Sequence, residues 1–377
     1  MRTFKESNLG KEMKRTIKNK FEFSEQTLIQ EKTIPSIIKG KDVLGESATG
    51  SGKTLAFGVG VVENAIPNQG VQGLVITPTR ELATQVKNYL DRLSNGKLNV
   101  MSVYGGVSIR RQIKKLKHSE IVVATPGRLK DHINRGTIDT SNINTFVLDE
   151  ADTMLDMGFI GDIEDIMKVC PRNKQTLFFS ATIPKEIESL ARKYMDNPIN
   201  VTAKKQVDPK KLKQKIYEVP KDLKFSLLVH LLNEEESDLV MVFCNTRRTT
   251  GLVSKNLRRH GFNSASIHGG FSQNKRNKAM RSFKKGHKKV LVCTDVAARG
   301  IHVDGISHIY NFDIPNDPAF YVHRIGRTAR AGSEGKVINL LCNYHDDYLN
   351  NILREYKSLE IEKVERPYIE KLSFRVR

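Results

Sequence analysis

Asp42-Val-Leu-Gly-Glu-Ser47-Ala-Thr-Gly-Ser-Gly-Lys-Thr54-Leu-Ala-Phe57 passes from a short apolar run through a glycine-rich turn into a helix-forming sequence. Glycines let the backbone curl until its N–H groups point inward at a phosphate, and the dipole of the following helix adds to the attraction. On this reading Ser47, Thr49, Gly50, Ser51 and Gly52 form the cradle of a nucleotide, Lys53 reaches its β- and γ-phosphates, and Thr54 ligates Mg²⁺. The general pattern G-x-x-x-x-G-K-[ST] is broken at its first position, where Ser47 stands in place of Gly. A small residue there still permits the turn.

Outward from this loop the same rhythm recurs. Short apolar runs lie at 42–44, 74–77, 100–103, 121–124, 146–148 and 176–179, and again at 239–244, 265–267, 290–293, 308–312 and 337–341. Each leads through a turn rich in Gly, Ser or Thr into a helical stretch. Continuous rather than alternating apolarity predicts strands buried on both faces, hence mostly parallel sheets with helices on both sides and right-handed crossovers. Two such sets predict two α/β domains, the first over 1–203 and the second over 212–377, with 204–211 as a polar, basic linker. Ligands of open parallel sheets gather at the carboxyl ends of the strands, so two facing domains imply one cleft between them.

The strand-like run at 146–148 ends in Val147-Leu-Asp-Glu-Ala-Asp152. A carboxylate at that point, Asp149, is the usual second holder of the Mg²⁺ in a nucleotide-hydrolysing site, and Glu150 is placed to orient and deprotonate an attacking water. Asp152, taken alone, reads as a helix N-cap.

Composition narrows the class. The 377 residues include 62 Lys and Arg against 42 Asp and Glu, a net charge of +20, with 38% hydrophobic residues. That is enough apolar content for two ordinary cores and argues against global disorder. No apolar run approaches the ~18–20 residues of a membrane helix, and the N-terminus has no apolar signal region. Cys170, Cys244, Cys293 and Cys342 are widely spaced and form no CxxC pair, which predicts buried free thiols in the reducing cytoplasm rather than a zinc or disulfide framework. Residues 201–377 carry a net +14 against +6 for 1–200. Such an excess suits either a solvated surface or one that binds a polyanion.

Asp149-Glu-Ala-Asp152 spells DEAD, and the chain resembles the DEAD-box family of ATP-dependent RNA helicases across nearly its whole length. The ordered series Pro78-Thr-Arg-Glu-Leu82, Gly105-Gly106, Thr125-Pro-Gly-Arg128, Ser180-Ala-Thr182, Val242-Phe-Cys-Asn-Thr246, Gln273-Asn-Lys-Arg276, Thr294-Asp-Val-Ala-Ala-Arg-Gly300 and His323-Arg-Ile-Gly-Arg-Thr-Ala-Arg330 carries the resemblance. It implies two tandem RecA-like domains, ATP and Mg²⁺ as cofactors, RNA as partner and a cytoplasmic monomer. It also implies residue roles. RNA contacts fall to Pro78, Thr79, Arg80, Gly105, Gly106, Thr125, Gly127 and Arg128 of the first domain, and to Asn245, Arg247, Gln273, Arg276, Thr294 and Arg299 of the second. Asp152, Ser180, Thr182 and His323 couple hydrolysis to movement, and Asp295 and Gly300 lie at the nucleotide.

Arg324, Arg327 and Arg330 stand at three-residue spacing, one face of a helix. The spacing alone suits a solvated surface or an RNA contact, whereas the resemblance makes Arg327 and Arg330 fingers for the γ-phosphate. Adenine would stack on Phe23 and pair with the amide of Gln30; Glu22 and Gln26 occupy positions where the family shows Gly and Pro, and Phe4 is either an outer aromatic contact or an apolar plug. His302 stands where the family has the Asp that accepts from the ribose hydroxyl. The rival readings are a translocating DNA helicase of the same fold and an RNA chaperone with a vestigial ATPase.

Overall fold

The computed structural model describes the chain apart from residues 1, 49, 204–211, 299–302, 304, 330–333, 343–345, 358 and 376–377, and the side chain of Gln273. Thr49, Arg299, Gly300, His302, Arg330 and the expected linker therefore lie outside the described residues. The chain divides into two compact units, Met1–Lys205 and Gln206–Arg377.

In the first unit seven strands are described: β1 Val43–Glu46, β2 Gly73–Ile76, β3 Val100–Val103, β4 Ile121–Ala124, β5 Thr145–Asp149, β6 Gln175–Ser180 and β7 Ile199–Thr202. They pair in parallel in the order β3-β4-β2-β5-β6-β1-β7. Successive residues of a strand point to opposite faces, and both faces are buried here. Val75, Val123, Val147, Leu177 and Phe179 join one apolar cluster, while Leu74, Val122, Phe146, Leu148 and Phe178 join the other. This double burial is why the strands read as unbroken apolar runs.

The second unit repeats the plan with β8 Leu212–Glu218, β9 Leu239–Phe243, β10 Ser264–Ile267, β11 Val290–Cys293, β12 Ile306–Asn311, β13 Gly335–Leu341 and β14 Glu362–Lys363. Its order, β10-β11-β9-β12-β13-β8-β14, matches that of the first unit position for position. The duplication is topological, with no tandem repeat in the sequence. Three strands are absent from the apolar runs. β8 alternates, with Leu212 and Gln214 buried and Lys213 exposed, and β7 and β14 expose most of their residues.

Among the described residues no helix is long and apolar enough to cross a membrane. All four cysteines are buried and free. Burial pushes the Cys170 thiol up to about 11 and raises those of Cys244 and Cys293.

The N-terminal segment is held by its own sheet-like contact. Thr3 bridges Glu25, the Phe4 amide donates to the Ser24 carbonyl (3.1 Å), and the Phe4 side chain is buried in the first unit's core. Phe4 is thus the apolar plug, not an outer aromatic contact. Between Phe4 and Phe23 the helix Lys11–Thr16 widens into a π-turn over Ile17–Phe21, and Glu22 ends it in the left-handed region at φ 58°. A Cβ there costs ~1–2 kcal/mol against a neighbouring carbonyl, and glycine avoids the penalty at some cost in unfolded-chain entropy. Glu22→Gly should therefore raise the stability of the first unit by ~0.5–1 kcal/mol, seen as a later urea midpoint at unchanged slope. An earlier midpoint would show that the Glu22 side chain contributes more than its backbone costs.

Candidate nucleotide and RNA sites

β1 delivers the chain into the glycine-rich loop, and Lys53 opens the helix Lys53–Glu63 that follows. Gly50 and Gly52 take φ 79° and 93°, conformations that side chains resist. Space also requires Gly52, because a Cβ there would come within 2.3 Å of the Gln30 amide nitrogen. Ser47 is fully buried: its amide donates to the Ser180 carbonyl (2.9 Å) and its hydroxyl to the Ala203 carbonyl (3.3 Å). The buried Lys53 ammonium donates to the Ser47 carbonyl (2.6 Å), which folds the lysine back across its own loop. The Ser51 hydroxyl oxygen is buried with no hydrogen-bond partner among the described residues. The loop thus combines two left-handed glycines, a buried ammonium and an unsatisfied hydroxyl, a set that suits a phosphate cradle.

Asp149, the last residue of β5, is 3% exposed. Burial pushes its carboxyl up to about 7; the Lys53 charge pulls the other way and the neighbouring Glu150 reinforces the rise. Hard oxygen donors, the Asp149 carboxylate and the Thr54 hydroxyl, are the set Mg²⁺ prefers. A buried carboxylate that is costly to ionise also gains most from a divalent cation. The residues present therefore fit the metal.

A stability consequence follows for the protein without nucleotide or metal. The Asp149 carboxyl titrates near 3.8 when unfolded and near 7 when folded. Between those values the folded state holds the extra proton, so stability falls as pH rises through this window. Asp149→Asn should be ~2 kcal/mol less stable than wild type below pH ~4, where a buried amide has more polar groups to satisfy than a protonated carboxyl, and should gain ~4 kcal/mol on it by pH ~7. The plateau above that should be ~2 kcal/mol, because a buried amide retains part of the burial cost. Thermal melts in EDTA should show a midpoint ~4–8 °C higher at pH 8. No difference at pH 8 would mean the Asp149 carboxylate is not penalised.

Glu150 connects β5 to the helix Ala151–Asp156 in a left-handed conformation (φ 56°, ψ 52°) and is 5% exposed. Asp152 is not the helix N-cap, a place that Glu150 takes, but the second residue of the helix. Its Oδ2 accepts from the Ala181 amide (3.2 Å), the Thr182 amide (3.0 Å) and the Thr182 hydroxyl (3.2 Å), while its own amide donates to Ser180 Oγ (3.0 Å). The ends of β5 and β6 are thereby tied through one carboxylate. Gln30 is buried in a capping box: its Oε1 accepts from the Thr27 amide (2.9 Å) and its Nε2 donates to the Gly52 carbonyl (3.0 Å). The expected adenine reader thus touches the phosphate loop directly. Phe23 is 43% exposed, with its ring centroid 5.9 Å from that of Phe21.

The first unit's expected RNA contacts sit beyond the ends of β2, β3 and β4. Thr79 caps the helix Arg80–Leu93 by accepting from the Leu82 amide (3.3 Å), with Pro78 just before it. Arg80 lies over Gly105 and Gly106; a Cβ on Gly106 would come within 2.2 Å of its guanidinium. Thr125 and Pro126 start the next helix, where Gly127 leaves open space. Arg128 donates to the Val107 carbonyl (3.1 Å) and to Gln112 Oε1 (2.9 Å).

The second unit rebuilds the same device. Thr246 caps the helix Arg247–Arg259 through the Thr249 amide (3.0 Å), and the Arg247 guanidinium lies 3.2 Å from where a Gly269 Cβ would be. Arg276 and the buried Thr294 belong to this unit as well, Arg276 on the helix Gln273–Lys284.

The DEAD/DEAH box helicase profile matches residues 27–190, and the helicase conserved C-terminal domain profile matches 223–332. An ATP-dependent RNA helicase CshA of Limosilactobacillus reuteri is 46% identical over 353 residues, 93% of this chain and 71% of that protein. A DEAD-box ATP-dependent RNA helicase CshA of Geobacillus kaustophilus is 44% identical, over 98% of this chain and 80% of that one. The chain belongs to the DEAD-box family. Among solved structures, S. cerevisiae Dbp5 bound to RNA and ADP BeF3 is similar at a TM-score of 0.87 and 27% identity, covering 97% of this DEAD-box chain and 96% of that one.

One residue of this DEAD-box protein departs from the sequence reading. The helix Pro318–Ile325 stops at Gly326, and Ala329 turns left-handed at φ 53°, so Arg324 and Arg327 do not share the face of one helix, and Arg330 lies outside the described residues. Arg324 is 1% exposed. Its Nε and Nη2 grip both oxygens of Asp295 (2.6 and 2.7 Å), Nη1 reaches Asn311 Oδ1 (2.9 Å) and the Asp313 carbonyl (2.6 Å), and Nη2 also reaches Asn245 Oδ1 (3.0 Å). All five donors are satisfied. Asp295, expected at the nucleotide, and Asn245, expected at RNA, are thus both partners of this arginine. Asn245 further binds Asp313 through its amide (3.1 Å) and the Ile314 carbonyl through its side chain (2.8 Å). Arg327 is buried too, and with His323, Phe320 and Phe243 it borders a small cavity beside Arg324. No local pattern distinguishes a buried arginine from a surface one; the nearest signal was the scattered Asp and Asn residues at strand ends.

Proposed function

We propose that this DEAD-box chain is an RNA-stimulated ATPase that grips RNA through its backbone and locally parts duplexes, converting ATP and water to ADP and phosphate. The observation that carries the reading is the Asp152 tie. It fastens Ser180-Ala-Thr182 to the loop bearing Glu150, so that movement in one is felt in the other. Lys53 leaves the Ser47 carbonyl to neutralise the β- and γ-phosphates, and Glu150 takes the proton of the attacking water. Thr54 and Asp149 would hold Mg²⁺, which supplies charge neutralisation on the phosphate oxygens. Gln30 releases the Gly52 carbonyl to read adenine, with Phe23 stacking above. Arg327 and Arg330 act on the γ-phosphate and His323 couples nucleotide to RNA, which makes turnover depend on both domains.

RNA is held by Arg80, Arg128, Arg247, Arg276 and Arg299 with the glycine-motif amides. Such contacts go to phosphates and sugars, so affinity is nearly blind to sequence and falls steeply with salt. We assign the protein to the cytoplasm. Phosphate release measured with and without RNA, and with DNA of equal length, tests the reading. RNA should stimulate release, DNA should not, and the RNA effect should weaken with salt. Equal stimulation by DNA would favour a DNA-directed enzyme, and no stimulation by RNA would overturn the proposal.

A further inference from the structure

Between Asp238 and Asp295 the chain carries 13 Lys and Arg residues and not one Asp or Glu. The fold does not require this, because the matching stretch of the first unit, 73–124, contains Glu81, Asp91 and Glu120. The family motifs use Arg247 and Arg276 and leave most of these cations without a role. Their placement is specific. β10 is the free edge of the second sheet, next to β11, and the helix Gln273–Lys284 connects the two. Both strands run parallel, so this helix starts at the carboxyl end of the sheet, where Arg276 lies, and finishes at the opposite end. Its twelve residues span about 18 Å.

Lys275, Lys278, Arg281 and Lys284 are all exposed and stand three residues apart, forming one ridge inclined along that helix. The only aromatic ring of the helix, Phe283, is fully buried in the core. Beyond the helix the exposed Lys285 and Lys289 continue the line on a loop fixed by Asn263. The Asn263 side chain accepts from Lys288 Nζ (2.6 Å) and donates to the His287 carbonyl (2.7 Å), and its backbone carbonyl accepts from the Lys289 amide (3.1 Å). A ridge of cations whose own stretch holds no Asp or Glu, and whose Lys275 covers the half-buried Phe271 ring (3.8 Å from its centroid), recognises phosphates and not bases.

The geometry points to a second RNA-backbone strip along the β10 edge, carrying strand that extends from the motif contacts toward the far end of the sheet. RNA is favoured over an acidic protein because the ridge is continuous with Arg276, where the proposed function already places RNA phosphates, and the inference rests on that reading. The strip makes affinity depend on RNA length.

The test uses the full chain, an ATP analogue that is not hydrolysed, and unstructured oligouridylates of about 8 and about 30 nucleotides, in the range of one short site and several. Removing three cations with Lys284→Gln, Lys285→Gln and Lys289→Gln together should weaken the longer RNA roughly tenfold and lower its salt slope by about 2, at ~0.7 per lost phosphate contact. The short RNA should change less than twofold, and its stimulation of the ATPase should persist. The matching triple Lys→Arg variant should behave as wild type on both. Unchanged binding of the longer RNA by the Gln variant overturns the strip, and so does an equal loss on both lengths, which would put these lysines in the main site. Failure of the short RNA to stimulate wild-type ATPase is a separate result that removes the helicase reading itself.

Discussion

Glu150→Gln should bind ATP and RNA as wild type does but turn over ~10²–10⁴-fold more slowly, the range by which a positioned general base contributes. The amide is isosteric, so the left-handed junction at φ 56° and the Asp152 tie to Ser180-Ala-Thr182 should survive the change. What is lost is the acceptor for the water's proton, which matters only in the transition state. RNA bound with ATP should therefore be released slowly, visible as a long-lived complex in filter binding. Lys53→Ala should differ in kind. Lys53 is the buried cation of the loop, and removing it should abolish ATP binding and leave no trapped complex. Equal loss of ATP binding in both variants would refute this division of labour.

Arg324→Lys, formally conservative, should be among the most damaging substitutions in the second unit. A lysine ammonium offers three donors from a point, whereas the guanidinium here satisfies five acceptor contacts in a fixed fork. The change leaves the fully buried Asn311 or the partly buried Asp295 short of a partner, and breaking such a network around a buried charge costs ~3–5 kcal/mol. For a unit of this size the melting midpoint should fall by roughly 10 °C. Melting at the wild-type temperature would show that the network is dispensable and that the sequence reading of a surface arginine was nearer the truth.

That arginine marks where sequence reasoning stopped. The eleven apolar runs fall on observed strands because double burial writes itself into composition, with no polar face to interrupt it. β8 escaped because its Leu-Lys-Gln-Lys-Ile alternation records a strand half turned toward solvent. The glycine-rich loop, Asp149 and Glu150 were legible from local spacing, since backbone curl and strand-end carboxylates are local demands. The bonds of Asp152 to residues about thirty positions away were not, nor the commitment of Gln30 to Gly52, because nothing in either segment names its partner. Phe4 could be read as plug or contact until the Thr3–Glu25 bridge turned its ring inward. Charge was legible as a total, but its concentration on one sheet edge needed the topology.

The burial of all four sulfurs has a practical consequence. With each thiol enclosed, and those of Cys170, Cys244 and Cys293 further suppressed by their surroundings, the native protein should be nearly silent toward maleimide dyes. A cysteine introduced at an exposed position of each domain, for example in place of Ile66 and Leu353, would then carry donor and acceptor fluorophores on an otherwise wild-type background. Energy transfer between the two dyes could follow the domains through a turnover cycle in real time, without first stripping the core of residues that help to pack it.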